Sequence, residues 1–160
     1  MPVEHAIWKV ADNPVRLIEC TLDNEQMLED LIFKDISILN DGWLLIGRQV
    51  STSYNKLIDL LAIDISGSLI IIELKKNKTP REVVAQALDY ATWVKGLDAS
   101  AIADLCEKFS QNYLSKATSL DQAFLEKFGT KLDEDDLNSS HQMVIVAAEL
   151  DSSTERIVTY

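Results

Sequence analysis

Three residues combine a reactive type with a telling position: Asp59, Glu73 and Lys75. Asp59 stands in Leu57-Ile58-Asp59-Leu60-Leu61-Ala62-Ile63, and Glu73 and Lys75 end the run Ile70-Ile71-Ile72-Glu73-Leu74-Lys75. A carboxylate among such neighbours is largely desolvated, and leaving it unpaired is costly. Period-two geometry puts Glu73 and Lys75 on one strand face. A hairpin register pairing the strands around Ile63 and Leu69 would bring Asp59 within reach of that face. Two carboxylates about 4 Å apart repel by about 4 kcal/mol at an effective dielectric of about 20. Either one takes up a proton or a divalent cation binds between them. Lys75 offsets part of the repulsion, and beside a substrate it could stabilise phosphate charge or orient a water. The competing account is a buried Asp–Lys–Glu ion-pair network without catalysis.

The elements that must position these residues are marked in the sequence. Ala6 to Cys20 alternates around Asp12-Asn13-Pro14 and predicts a hairpin. Asp23 with Gln26 predicts a capping box opening a helix whose apolar stripe is Met27, Leu28, Leu31 and Ile32. Trp43–Val50, Lys56–Asp64 and Leu69–Lys75 read as strands, the last two joined by Ser66-Gly67-Ser68 as an antiparallel hairpin. Apolar residues on both faces imply a sheet covered by helices. Thr79-Pro80-Arg81-Glu82 predicts a helix N-terminus, with the helix ending at Gly96. Two further helices are expected over 98–128, broken near Ser115 to Ser119. Asp133-Glu134-Asp135-Asp136 reads as a solvated loop. Met143–Ala148 reads as a buried strand, and Asp151-Ser152-Ser153 as the cap of a last helix. That helix is still running at Tyr160, so the chain is expected to be either the N-terminal part of a longer protein or one whose terminal helix ends there.

The expected fold class is α/β: a mixed central sheet flanked by helices, in one domain over 1–160. Within it, 1–20 form an N-terminal hairpin, 21–96 the catalytic core, 97–140 a helical insertion, and 141–160 the last core strand and helix. The chain of 160 residues carries 15 Lys and Arg against 26 Asp and Glu, a net −11 that discourages unaided phosphate binding. The excess lies in the flanks: residues 34–95 hold 8 bases and 7 acids, whereas 96–160 hold 5 and 12. Two cysteines, Cys20 and Cys106, are too few for a disulfide scaffold or a zinc cluster. Without an apolar run of membrane length or a leader-like N-terminus, a cytoplasmic protein with no membrane partner is expected. His5 and His141 have no metal-ligand spacing, and no glycine-rich nucleotide loop or serine-hydrolase motif occurs.

The ordered set Asp59, Glu73-Leu74-Lys75, then Gln86-Ala-Leu-Asp-Tyr90 resembles the PD-(D/E)XK nuclease superfamily with the Gln-x-x-x-Tyr element of RecB-like nucleases. Ile46-Gly47-Arg48-Gln49-Val50 through Tyr90, with Glu29 in Leu28-Glu29-Asp30, is similar to NucS-like endonuclease domains. The resemblance implies Asp59, Glu73 and the Leu74 carbonyl as ligands of Mg²⁺ or Mn²⁺, and Glu29 as holder of a second metal or its water shell. It implies that Lys75 orients or helps deprotonate the attacking water, and that Gln86 and Tyr90 buttress the site or touch substrate. The implied activity is metal-dependent hydrolysis of DNA, more endonucleolytic than exonucleolytic; the alternative is an inactive module of the same fold that binds nucleic acid or protein. Ile58 replaces the proline of the family name.

Further substrate-binding candidates are Arg48, Lys76, Lys78 and Arg81. Adjacent residues on a strand face opposite ways, so at most one of Arg48 and Gln49 is expected at the site. For Arg48, a DNA-facing or supporting role competes with a plain salt bridge. Lys76, Lys78 and Arg81 lead into a helix N-terminus, which favours anions, and otherwise form a solvated loop. The DNA partner could be single-stranded or branched, and the acidity leaves room for a homodimer or a C-terminal partner domain to supply basic surface.

Overall fold

The computed structural model describes residues 7–10, 12–18, 21–79 and 82–150, except for the side chains of 77–79 and 148–150. Its first element is the expected hairpin, β1 (Ile7–Lys9) antiparallel to β2 (Val15–Leu17). Helix α1 (Glu25–Lys34) begins one residue later than expected: Asn24 is the cap, and its side-chain oxygen accepts the Met27 N–H. No capping box closes, because Gln26 bonds forward to Asp30 at 3.1 Å. Met27 and Leu31 are exposed, which leaves Leu28 and Ile32 as the residues that α1 packs inward.

The sheet has the order β3-β4-β5-β6, with β3 (Trp43–Ser51), β4 (Leu57–Asp64), β5 (Leu69–Thr79) and β6 (His141–Leu150). The first two pairings are antiparallel and β5–β6 is parallel, a mixed sheet. A parallel partner needs a crossover. It is supplied by α2 (Glu82–Lys95), α3 (Ala99–Tyr113) and α4 (Leu120–Phe128). The acidic 133–136 stretch is an exposed turn segment, as expected.

Strand β5 outruns its expected end at Lys75. It continues to pair with β6 through Thr79↔Leu150 after an irregularity between Lys75 and Lys78. Thr79 is therefore the last strand residue, while its side chain, Pro80 and Arg81 lie outside the described residues, as does the helix expected from Asp151. Strand β6 departs from its expected burial. Among the described residues it is an edge strand, and Met143 is 43% exposed.

Two apolar layers sandwich the sheet. Ile46, Ile58, Leu61, Ile63, Leu69 and Ile71 pack against Tyr90 and Val94 of α2, Ile102 and Cys106 of α3, and Phe124 of α4. On the other face Leu60, Ala62, Ile70, Ile72 and Leu74 pack against Ile32. The strict alternation of Leu69 to Ile72 between these layers is what a strand buried on both faces requires. Each such side chain contributes roughly 1.5–3 kcal/mol of burial. The 97–140 helices therefore share the core of the sheet. Asn138 ties the two together, donating from Nδ2 to Val94 O at 2.8 Å and Leu97 O at 3.0 Å at the end of α2.

Candidate active site

The β4–β5 ladder runs from Ile63↔Leu69 to Leu60↔Ile72. The register is the one needed to bring Asp59 near Glu73, since these are the next residues along each strand. Beyond the last pair, Asp59 Oδ2 accepts the Leu74 N–H at 2.8 Å, so a side chain takes the place of the missing ladder acceptor. Burial, with the charge of Glu29 also acting in this direction, raises the Asp59 carboxyl above its ordinary range despite that bond.

Glu73 is 2% exposed and alternates onto the α2 face of β5. Its Oε1 accepts from Lys75 Nζ at 2.9 Å and from Gln86 Nε2 at 3.0 Å. Its Oε2 is buried with no hydrogen-bond partner. Burial first, and the negative charge of Asp59 second, push its carboxyl up to about 7, with Lys75 opposing. Lys75 itself is held above the ordinary lysine range: burial works against its charge, but the hydrogen bond and charge of Glu73 outweigh it.

Gln86 and Tyr90 share one face of α2, as their spacing dictates. Only Gln86 touches the carboxylates. Tyr90, 1% exposed, donates to Leu57 O at 2.6 Å and accepts from Gln86, so it braces Gln86 against the start of β4.

A second layer lies toward α1. Arg48 Nε meets Glu29 Oε1 at 2.6 Å and its Nη2 meets Asp30. The guanidinium lies 4.6 Å from the Phe33 ring centre and 5.5 Å from that of Tyr113. Gln49 Nε2 reaches Glu29 Oε2 at 2.7 Å and Asp59 Oδ1 at 3.3 Å. Both Arg48 and Gln49 thus converge on Glu29, against the expectation that only one could. The reason is a left-handed backbone at Gln49, φ 51°, which breaks the strand's alternation. The pairing passes from Arg48↔Leu60 to Val50↔Ile58 with Gln49 left out of the ladder. Arg48 is thus ion-paired with Glu29 and Asp30, and both Glu29 oxygens accept hydrogen bonds from protein donors.

Lys76 is bonded to the segment that opens α1. Its Nζ donates to Asp23 O at 2.6 Å and its N–H to Glu25 at 3.2 Å. The Lys78 side chain and all of Arg81 lie outside the described residues. Sequence reasoning weighed Gln49 only as the alternative to Arg48, and it missed the aromatic seat of Arg48.

Among the described residues, no group of three or more His, Cys, Asp and Glu side chains is gathered as a ready-made metal centre. What Asp59 and Glu73 offer is a pair of hard carboxylates beside Leu74, with one buried oxygen lacking a partner. That donor set suits Mg²⁺ or Mn²⁺, which keep several waters and need few protein ligands.

Residues 24–101, which span α1 to the start of α3 and hold this whole constellation except Tyr113, match the family model described as the endonuclease NucS C-terminal domain. The match covers 78 of the 160 residues and is to an endonuclease domain, in line with the resemblance to PD-(D/E)XK nucleases. The fold is similar to the crystal structure of a repair endonuclease from Pyrococcus abyssi, with TM-score 0.51 and 17% identity over 91% of this chain. It is also similar to EndoMS in a complex with double-stranded DNA, with TM-score 0.53 and 14% identity over 97% of this chain. The match spans 47% of the first protein and 60% of the second. None of the curated proteins matches this chain in sequence.

Proposed function

We propose that the protein is a metal-dependent nuclease that hydrolyses phosphodiester bonds of DNA, cutting internally. The observation carrying this reading is the partnerless Glu73 Oε2, buried beside Asp59 in a carboxyl pushed up to about 7. A protein built for stability alone would pair that oxygen or replace it. Asp59, Glu73 and the Leu74 carbonyl would hold Mg²⁺ or Mn²⁺. A bound ion of this kind supplies positive charge to the scissile phosphate and makes water more acidic. Lys75, whose ammonium meets Glu73 Oε1 at 2.9 Å, orients or helps deprotonate the attacking water and balances charge developing on the phosphate. Gln86 holds Glu73 Oε1, which leaves Oε2 presented to the ion, and Tyr90 fixes Gln86. Glu29 acts through Gln49 on Asp59.

DNA as the substrate is supported by the NucS family match and by the DNA-bound state of a protein of similar fold. The test is cleavage of single-stranded, branched and double-stranded oligonucleotides with Mg²⁺ or Mn²⁺, by the wild type and by Asp59→Asn. Cleavage by the wild type that disappears with Asp59→Asn supports the reading, and equal rates overturn it. The net charge of −11, with Arg48 and Lys76 both paired internally, favours a second reading as an inactive module of the same fold. Under that reading the wild type binds no Mn²⁺ and cuts nothing.

A further inference from the structure

We propose that Gln49 is a positioning residue that sets Asp59 for cation binding by bridging it to Glu29; this rests on the nuclease reading above. Gln49 is partly buried, and its carboxamide nitrogen has two hydrogens and two carboxylate partners, Glu29 Oε2 at 2.7 Å and Asp59 Oδ1 at 3.3 Å. Reaching both requires the left-handed backbone at φ 51°, a conformation that costs a non-glycine residue free energy and persists only where its surroundings impose it. Such outliers gather at functional sites, and this one places a donor between the Glu29 and Asp59 oxygens that Arg48 and the Leu74 N–H do not occupy.

The two bonds to Asp59 have different characters. Oδ2 is fixed by the Leu74 N–H at 2.8 Å, while Oδ1 is held by Gln49 at the longer 3.3 Å. Gln49 therefore aims Oδ1 without saturating it, which leaves lone-pair capacity for a cation. The bridge is itself anchored. Arg48 takes the other Glu29 oxygen and is seated on Phe33 of α1 and Tyr113 of α3, so the chain of contacts runs from the α3 C-terminus to Asp59. Partners that orient metal ligands in this way typically change metal affinity 10–100-fold when removed.

The test uses the whole 160-residue chain and Mn²⁺ alone, followed by isothermal titration calorimetry, with melting curves recorded without metal. Gln49→Met keeps the length and removes the donor; Gln49→Asn tolerates the left-handed backbone and keeps a carboxamide on a shorter stem. The expected result is a Kd for Mn²⁺ raised about tenfold or more by Gln49→Met and by less with Gln49→Asn, with melting temperatures within about 4 °C of the wild type. On DNA, kcat should fall while KM stays near the wild-type value. Mn²⁺ affinity equal to the wild type in both variants overturns the assignment. So does a loss of binding in both that is accompanied by a melting temperature lowered by more than about 10 °C, because the role is then structural. If the wild type itself takes up no Mn²⁺, the nuclease reading fails and Gln49 has no ligand to position.

Discussion

Lys75 and Gln86 both donate to Oε1 of Glu73, and the second oxygen of that carboxylate is buried without a partner. One side of the carboxylate is thus fixed from two elements, β5 and α2, and the other is left unanswered. A carboxylate in this state resists ionisation, and its stability contribution must depend on pH.

The direction follows from the raised pKa. Glu73 titrates at about 7 in the fold against 4.5 in the unfolded chain, so between these values the folded state holds a proton that the unfolded state has released. Stability is then greatest below about pH 4.5 and is lost as the pH rises through about 7. The loss amounts to about 3 kcal/mol by pH 8 in the absence of divalent cations. Glu73→Gln cannot ionise and should be more stable than the wild type by about that amount at pH 8, with the gap closing near pH 5. Urea unfolding at the two pH values measures it, and a gap that does not vary with pH would refute the account.

Lys75→Met should remove a donor whose role is electrostatic. Loss of a preorganised donor of this kind typically costs 10²–10³ in kcat. KM for DNA should change little, because the ammonium pairs with Glu73 at 2.9 Å. Lys75→Arg should recover little, since a planar fork does not reproduce a compact point charge. Single-turnover cleavage of a labelled oligonucleotide separates the two parameters, and a Lys75→Met variant with unaltered kcat would remove Lys75 from the mechanism.

The hairpin that brings Asp59 to Glu73 was legible because Leu69 to Ile72 alternate between two layers and the Ser66-Gly67-Ser68 turn sets the register. The Gln86–Tyr90 pair was legible from the resemblance to the Gln-x-x-x-Tyr element, and helical spacing put both on one face. Gln49 was not, because its reach depends on a backbone angle that strand periodicity does not encode. The start of α1 was misplaced by one residue because Asp23 and Asn24 are both good caps; the carbonyl of Asp23 is used by Lys76 instead. The far end of β5 was hidden because Lys76-Asn77-Lys78 is polar, and its strand state depends on a parallel partner more than sixty residues away.

Tyr90→Phe should separate bracing from chemistry. The hydroxyl is buried, donates to Leu57 O at 2.6 Å and accepts from Gln86. Its removal leaves a main-chain carbonyl and a carboxamide hydrogen unsatisfied, at a cost of roughly 1–3 kcal/mol. Thermal unfolding should register that cost, while Mn²⁺ affinity at saturating folded population should change by less than threefold. A large drop in affinity with no change in stability would place Tyr90 in direct contact with the chemistry.

Arg48 is the last test, because its two possible roles predict opposite readouts. As a DNA contact, its loss would raise KM, flatten the salt dependence of binding, and leave the fold intact. In the structure it instead neutralises Glu29, whose side chain is 7% exposed, and lies on Phe33 and Tyr113. Arg48→Ala would strand a buried carboxylate beside Asp59, and breaking a buried pair from one side costs about 3–5 kcal/mol. The expected outcome is a large loss of stability with an unchanged salt slope of DNA binding in the surviving folded fraction. Arg48→Ala combined with Glu29→Gln should recover part of the stability, since no charge is then left without a partner. If the double variant is no more stable than Arg48→Ala, the Arg48–Glu29 pair is not what holds this side of the site.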